Sequence, residues 1–160
     1  LNEHGPRGGD EINIPQKGKN YGWPLATWGI NYSGFKIPEA KGEIVAGTEQ
    51  PVFYWKDSPA VSGMAFYNSD KFPQWQQKLF IGALKDKDVI VMSVNGDKVT
   101  EDGRILTDRG QRIRDVRTGP DGYLYVLTDE SSGELLKVSP RNELTGIITT
   151  LRTAGRSVSC

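Results

Sequence analysis

Three groups of residues in this sequence carry the means for chemistry. The first is the stretch His4-Gly5-Pro6-Arg7-Gly8-Gly9-Asp10-Glu11, where glycines and a proline leave main-chain carbonyls and amides uncovered. Asp10 and Glu11 add hard oxygens, and Tyr21 follows ten residues after Glu11. Oxygen donors of this kind, main-chain carbonyls included, are what calcium takes. The same composition also suits a tight turn with an exposed acid pair. The second group is Arg112 and Arg114, two positions apart. On a strand such residues share a face, so both guanidinium groups project the same way. Two converging arginines suit a multiply charged anion; a solvated strand face is the plainer reading. The third is Lys85, at the loop end of the apolar run 78–84. His4 is the sole histidine and the one side chain that ordinarily titrates near neutrality, fit either as a base or as a loop anchor. Nucleophile elbows, Walker loops and dinucleotide fingerprints after a strand are absent from the sequence. Trp23, Trp28, Trp55 and Trp75 suit a sugar or cofactor face as well as a core.

These groups need a scaffold, and 160 residues suffice for one ordinary domain. With 20 basic against 20 acidic side chains, the chain lacks the strongly basic footprint of nucleic-acid binding. No apolar run approaches the roughly 18–20 residues of a membrane helix. Cys160 stands alone, so neither a disulfide framework nor a cysteine-based zinc site is expected. The chain opens with Leu rather than Met, which leaves room for an upstream targeting segment. Its 19 glycines and 9 prolines punctuate short apolar runs at 78–84, 88–94, 123–128 and 134–139, all rich in β-branched or aromatic residues. Turn chemistry separates them at Asn95-Gly96-Asp97, Glu101-Asp102-Gly103, Pro120-Asp121-Gly122 and Ser131-Ser132-Gly133. The expected class is all-β, with neighbouring strands joined as antiparallel hairpins.

A repeat sharpens that expectation. Residues 79–95 match 124–140 at an offset of 45, each an apolar strand, a polar loop and a second apolar strand. A further strand precedes each, at 62–70 and 114–122, and a third copy begins at the first residue, with a strand end, a loop and the strand Glu11–Ile14. Asp10, Asp88 and Gly133 hold equivalent places before their strands. Such a period with three or four strands per unit marks propeller blades, the alternative being a β-sandwich. About three blades' worth of four-stranded antiparallel sheet is present, whereas closed propellers have roughly 4–8 blades. The chain therefore reads as a C-terminal portion of a larger propeller, with missing blades or another copy needed to close the ring. Residues 23–59 read as a long inter-strand insertion within a unit spanning 1–142, and 143–160 as an atypical appended tail.

The segment "NEHGPRGGDEINIPQKGKNYGWP", followed in order by "GALK" (82–85), "RIRDV" (112–116) and "GPDGYLYVLTD" (119–129), resembles the soluble glucose dehydrogenase and bacterial aldose sugar dehydrogenase family. These sugar dehydrogenases use pyrroloquinoline quinone (PQQ), and the resemblance covers about residues 1–142. It implies a six-bladed propeller with the quinone over the central channel. It assigns Glu11 and Tyr21, with the carbonyls of Gly5 and Pro6, to calcium. Tyr32, Ala83, Leu84, Lys85, Arg112, Ile113 and Arg114 would bind PQQ. The implied reaction oxidises an aldose at its anomeric carbon, passes the electrons on to an unidentified acceptor, and belongs to an oxidising periplasmic or cell-envelope compartment. The family's general-base histidine lies in an earlier blade, so no catalytic residue is expected here and the chain alone should turn over sugar negligibly. Two other readings stand beside this one: a non-catalytic propeller that presents its rim to a protein, and a sugar-binding β-domain built on the Trp-rich insertion.

Overall fold

The computed structural model describes residues 1–140 and the strand pair Thr150–Leu151. It is all-β, with one short 3-10 turn at Pro73–Trp75 and, among the described residues, no helix long and apolar enough to cross a membrane. Among the described residues, eleven strands form three antiparallel sheets in chain order. The first sheet is β1 (Asn2–Glu3), β2 (Asp10–Ile12) and β3 (Phe53–Trp55); the second is β4 (Val61–Phe66), β5 (Leu79–Ala83), β6 (Val89–Asn95) and β7 (Lys98–Ile105). The third is β8 (Ile113–Thr118), β9 (Leu124–Thr128), β10 (Leu135–Val138) and β11 (Thr150–Leu151).

Why the runs become these strands is plain in the second sheet. All five residues of β5 are buried, so this strand has no solvent face and reads as a continuous apolar run. Its side chains alternate between two separate cores. Phe80 joins Val89, Val91, Ile113, Val116, Leu124 and Val126 on the side of the third sheet. Leu79, Ile81 and Ala83 join Ile90, Met92, Val61, Ile12 and Trp55 on the side of the first. At roughly 1.5–3 kcal/mol per large apolar side chain, these two seams supply most of the driving force for stacking the sheets.

Polar contacts between sheets fix the order. Asn2 Nδ2 donates to Ser62 O at 2.7 Å, and Ser62 Oγ donates to Ile113 O at 2.7 Å. Arg117 Nη1 reaches Met64 O at 2.9 Å. The sheets thus stand side by side along β1, β4 and β8, the arrangement expected of adjacent blades.

Three features depart from the sequence-based expectation. The segment 23–59 ends in strand β3, which pairs with β2 from Asp10↔Trp55 to Ile12↔Phe53, so the excursion without a named strand is 13–52. Glu101-Asp102-Gly103 is not a turn: it lies inside β7, where Glu101 pairs with Met92 and Gly103 with Val91, leaving Asp102 as the extra residue of a bulge. The tail 143–160 falls outside the described residues except for Thr150–Leu151, whose backbone pairs with Leu135–Leu136.

Candidate functional site

Loop 4–9, between β1 and β2, is shaped by a buried carboxylate. Asp10 is fully buried; its Oδ1 accepts the Gly5 amide at 3.0 Å and its Oδ2 accepts the Val61 amide at 2.8 Å. One side chain therefore folds the loop back and staples it to the second sheet. Of the two readings the sequence leaves open for Asp10, a hard oxygen for calcium or part of a tight turn, its engagement by two main-chain amides favours the structural one. The excursion then lies down on the loop. Arg7 and Ile30 exchange main-chain hydrogen bonds at 2.9 and 3.0 Å. The approach is close enough to demand glycine: a Cβ on Gly9 would sit 2.5 Å from Gly29 N, and one on Gly29 would sit 2.4 Å from Gly8 O.

Between loop and excursion lies a cavity of about 610 Å³. Gly5, Pro6, Glu11, Tyr21 and Tyr32, to which the resemblance gives calcium or cofactor roles, all line it, together with Glu3, His4 and Trp23. Glu3 and Glu11 are directly opposite one another on the β1–β2 ladder. Asn13 Nδ2 donates to Glu3 Oε2 at 2.8 Å and to Glu11 Oε2 at 3.3 Å. Burial raises the Glu11 carboxyl above its ordinary value; the Asn13 hydrogen bond works against this, and Glu3 beside it adds to it. Asn13 Oδ1 is buried and has no hydrogen-bond partner among the described residues. The Tyr21 hydroxyl is already engaged, donating to Ile14 O at 2.7 Å and accepting from Gln16 N at 2.8 Å. The Tyr21 hydroxyl is thus committed to the main chain of the excursion. Among the described residues no three His, Cys, Asp or Glu side chains cluster, so a hard cation here would draw on amide or main-chain oxygens too.

The cationic candidates stand outside this cavity, at the same strand ends in the next two sheets. Val61, at the stapled end of β4, pairs with Ala83, and Ile113 pairs with Thr128. Ala83, Leu84 and Ile113 are buried, so at these positions only the main chain is left to meet a ligand. Lys85 is exposed; its amide donates to Pro59 O at 3.0 Å, and its ammonium has no ion-pair partner among the described residues. Arg112 and Arg114 do converge, although a β-bulge falls between Ile113 and Asp115. Both grip the same oxygen, Asp129 Oδ2, at 3.1 and 3.0 Å, and the paired guanidinium groups hold the Asp129 carboxyl below its ordinary value. A second acid stands beside them, Glu130, whose Oε1 accepts the Arg112 amide at 2.9 Å. Next door, Arg104 gathers Asp86, Asp88 and Glu101, bracketing Lys85 from the far side of its loop.

Sequence reasoning missed Glu3, Asn13 and the Asp129 clasp. The first two were legible in principle, because Glu11 and Asn13 share a strand face and Glu3 lies across the short loop from them. The Asp129 clasp depends on a loop returning from another strand.

Comparison with known proteins bears on this arrangement. Residues 1–137 match the glucose/sorbosone dehydrogenase family model. An uncharacterized protein of Synechocystis sp. is 42% identical over 136 residues, which are 85% of this chain and 32% of that protein. A crystal structure of a glucose dehydrogenase superposes with a TM-score of 0.84 at 66% identity, covering 87% of this chain and 40% of the other. The PQQ-bound form of an aldose sugar dehydrogenase from Streptomyces coelicolor shares the fold at a TM-score of 0.60 and 23% identity, over 86% of this chain and 38% of that one. The chain thus spans about a third to two fifths of these relatives. On the match over 1–137, with the sheet order and loop geometry above, the chain belongs to the glucose/sorbosone dehydrogenase family.

Proposed function

We propose that this chain supplies part of the cofactor rim of a PQQ-dependent, calcium-assisted aldose dehydrogenase acting in the bacterial cell envelope. The rest of a six-bladed ring would come from residues outside this chain or from another copy. The observation that carries the reading is the meeting of two chemistries at one set of strand ends. An oxygen-lined cavity holds Gly5, Pro6, Glu11, Tyr21 and Tyr32, and Lys85, Arg112 and Arg114 stand on the adjoining sheets. A tricarboxylate quinone suits the second group, through the Lys85 ammonium, which has no ion-pair partner among the described residues, and two guanidinium groups that share one carboxylate. A hard cation suits the first, through Glu11 and main-chain carbonyls of the loop.

When bound, the quinone would supply a two-electron acceptor for oxidation of the sugar at its anomeric carbon. This chain's own residues would do the positioning. Lys85, Arg112 and Arg114 would hold the carboxylates, the Asp10 staple would fix the Gly5–Pro6 carbonyls, and Tyr32, at 72% exposure, would close the mouth. The general base would come from elsewhere in the ring, so the chain by itself is expected not to oxidise aldoses.

Titration with PQQ in the presence of calcium, followed by tryptophan fluorescence, tests this. Saturable quenching is expected, weakened at least tenfold by Lys85→Ala and by Arg112→Ala. Quenching indifferent to both substitutions would remove the cofactor site. Glucose binding without quinone would favour a sugar-binding domain instead, a reading to which the exposed Trp23, Tyr32 and Phe35 lend support. Sustained dye reduction by the chain with PQQ, calcium and glucose, above the protein-free control, would contradict the expected lack of turnover.

A further inference from the structure

Between the first and second sheets the chain crosses the rim in one short segment, 56–60, and its strain sits at one residue. Ala60 has a φ of +59°, a left-handed conformation that is uncommon for a residue with a Cβ. Ser58 holds it there: its side chain is buried, and Oγ accepts the Ala60 amide at 3.0 Å. Pro59, between them, adds a fixed φ and has no amide of its own. The turn so formed presents its carbonyls to the next loop. Ala60 O accepts the Leu84 amide at 2.8 Å, and Pro59 O accepts the Lys85 and Asp86 amides at 3.0 and 3.3 Å. Both ends of the segment are tied to the glycine-rich loop instead. The Trp55 carbonyl accepts the Gly9 amide at 2.9 Å, and the Val61 amide donates to Asp10 Oδ2 at 2.8 Å.

The third sheet shows what is particular about this turn. Its equivalent contact, the Asp129 amide on Arg112 O at 2.7 Å, is accompanied by a side-chain clasp, since Arg112 and Arg114 both grip Asp129. Lys85 has no such tether: it is exposed, and its ammonium has no ion-pair partner among the described residues. Where that ammonium can reach is therefore decided by its main chain, and its main chain is held by residues 59 and 60. Backbone strain that persists beside a candidate site points to a task for it. We infer that Ser58 is a positioning residue of the cofactor rim. By holding Ala60 left-handed it presents the Pro59 and Ala60 carbonyls to the 84–86 amides, and so keeps Lys85 in register with the glycine-rich loop. The task of Lys85 toward an anionic cofactor rests on the proposed function; the control of its main chain does not.

Amide exchange and PQQ titration of the full chain, both in the presence of calcium, test this together. In Ser58→Ala, exchange at Leu84 and Lys85 should quicken by about tenfold or more, while Phe80 and Ile81 within β5 keep the parent rate. Ser58→Thr, which retains the hydroxyl, should restore the protection. PQQ affinity should fall about fivefold in Ser58→Ala. The decisive comparison is the same substitution made in a Lys85→Ala chain. There its further effect should stay below about twofold, because its route to the cofactor is already gone. A general loosening would instead lower affinity by the same factor in both backgrounds, and that result overturns the assignment. So does Lys85 exchange left unchanged in Ser58→Ala. If Lys85→Ala leaves PQQ quenching unaltered while Ser58→Ala still quickens exchange at Lys85, the quinone reading falls and Ser58 stands as the residue that sets Lys85.

Discussion

Loops 4–9 and 84–88 occupy the same place in successive sheets, each joining a strand that ends at the rim to one that starts there, yet they are held by opposite means. Asp10 and Asp88 sit at matching positions, both buried. Asp10 spends its carboxylate on two main-chain amides, one in its own loop and one in the neighbouring sheet. Asp88 spends its carboxylate on Arg104 Nη1, at 3.2 Å to each oxygen, within its own sheet. The first loop is consequently lean, with bare main chain facing a cavity. The second is a charged loop that displays Lys85 to solvent. A repeat supplied the same acid twice, and the partner of that acid decided whether the loop presents carbonyls or a cation.

That contrast can be attacked from its strongest point downward. Asp10→Ala should cost most, about 4 kcal/mol, because it strands the buried Val61 amide and the half-buried Gly5 amide; denaturant unfolding would register it. A loss below 1 kcal/mol would mean that the loop is held by its glycine packing alone. Gly9→Ala should follow at about 3 kcal/mol, since φ is +72° and the new methyl meets the Gly29 amide. Gly96→Ala, at φ +64° with nothing within 4 Å, isolates the conformational part and should cost only about 1 kcal/mol.

Arg104→Ala should cost about 2 kcal/mol by leaving Asp88 buried and unpaired, and its deficit should depend on pH. Burial already lifts the Asp88 carboxyl above 3.8 despite Arg104, which acts to lower it. Removing the arginine raises it further. A carboxyl raised in the folded state takes up its proton more readily folded than unfolded, so the variant should recover stability as pH falls through that folded value. Urea melts at pH 7 and in mild acid would show the gap to the parent protein narrowing; a gap that widens would contradict the account. The smallest effect belongs to Arg112→Ala. Its pair with Asp129 is at the surface and Arg114 remains, so the unfolding midpoint should stay within error while PQQ affinity falls.

Legibility in the sequence followed burial. Strands β5, β6, β9 and β10 were readable because apolar side chains dominate wherever a strand is covered on one or both faces. Strand β7 was not, since this edge strand buries only Val99 fully and carries a bulge whose Asp-Gly imitates a turn. Strand β3 escaped for a related reason, being three residues at the end of a long excursion. At the site, composition singled out the glycine-rich loop, which lines a cavity, and the i, i+2 spacing singled out the arginine pair, which meets on Asp129. What the chain could not reveal is who answers whom. The carboxylate of Asp10 was free to be a ligand on paper and is consumed by amides in space, and the converging arginines already hold Asp129. Those outcomes depend on loops meeting across sheets, which no local pattern encodes.

Strand β5 carries one more implication. Phe80 and Ile81 are neighbours in the chain but plug different seams, one against the third sheet and one against the first. Neither flanking sheet can peel away without uncovering half of this strand, so loosening at one seam is felt at the other. Amide exchange along β5 should therefore be slow at consecutive residues and gated by whole-molecule opening, with no slow-fast alternation between them.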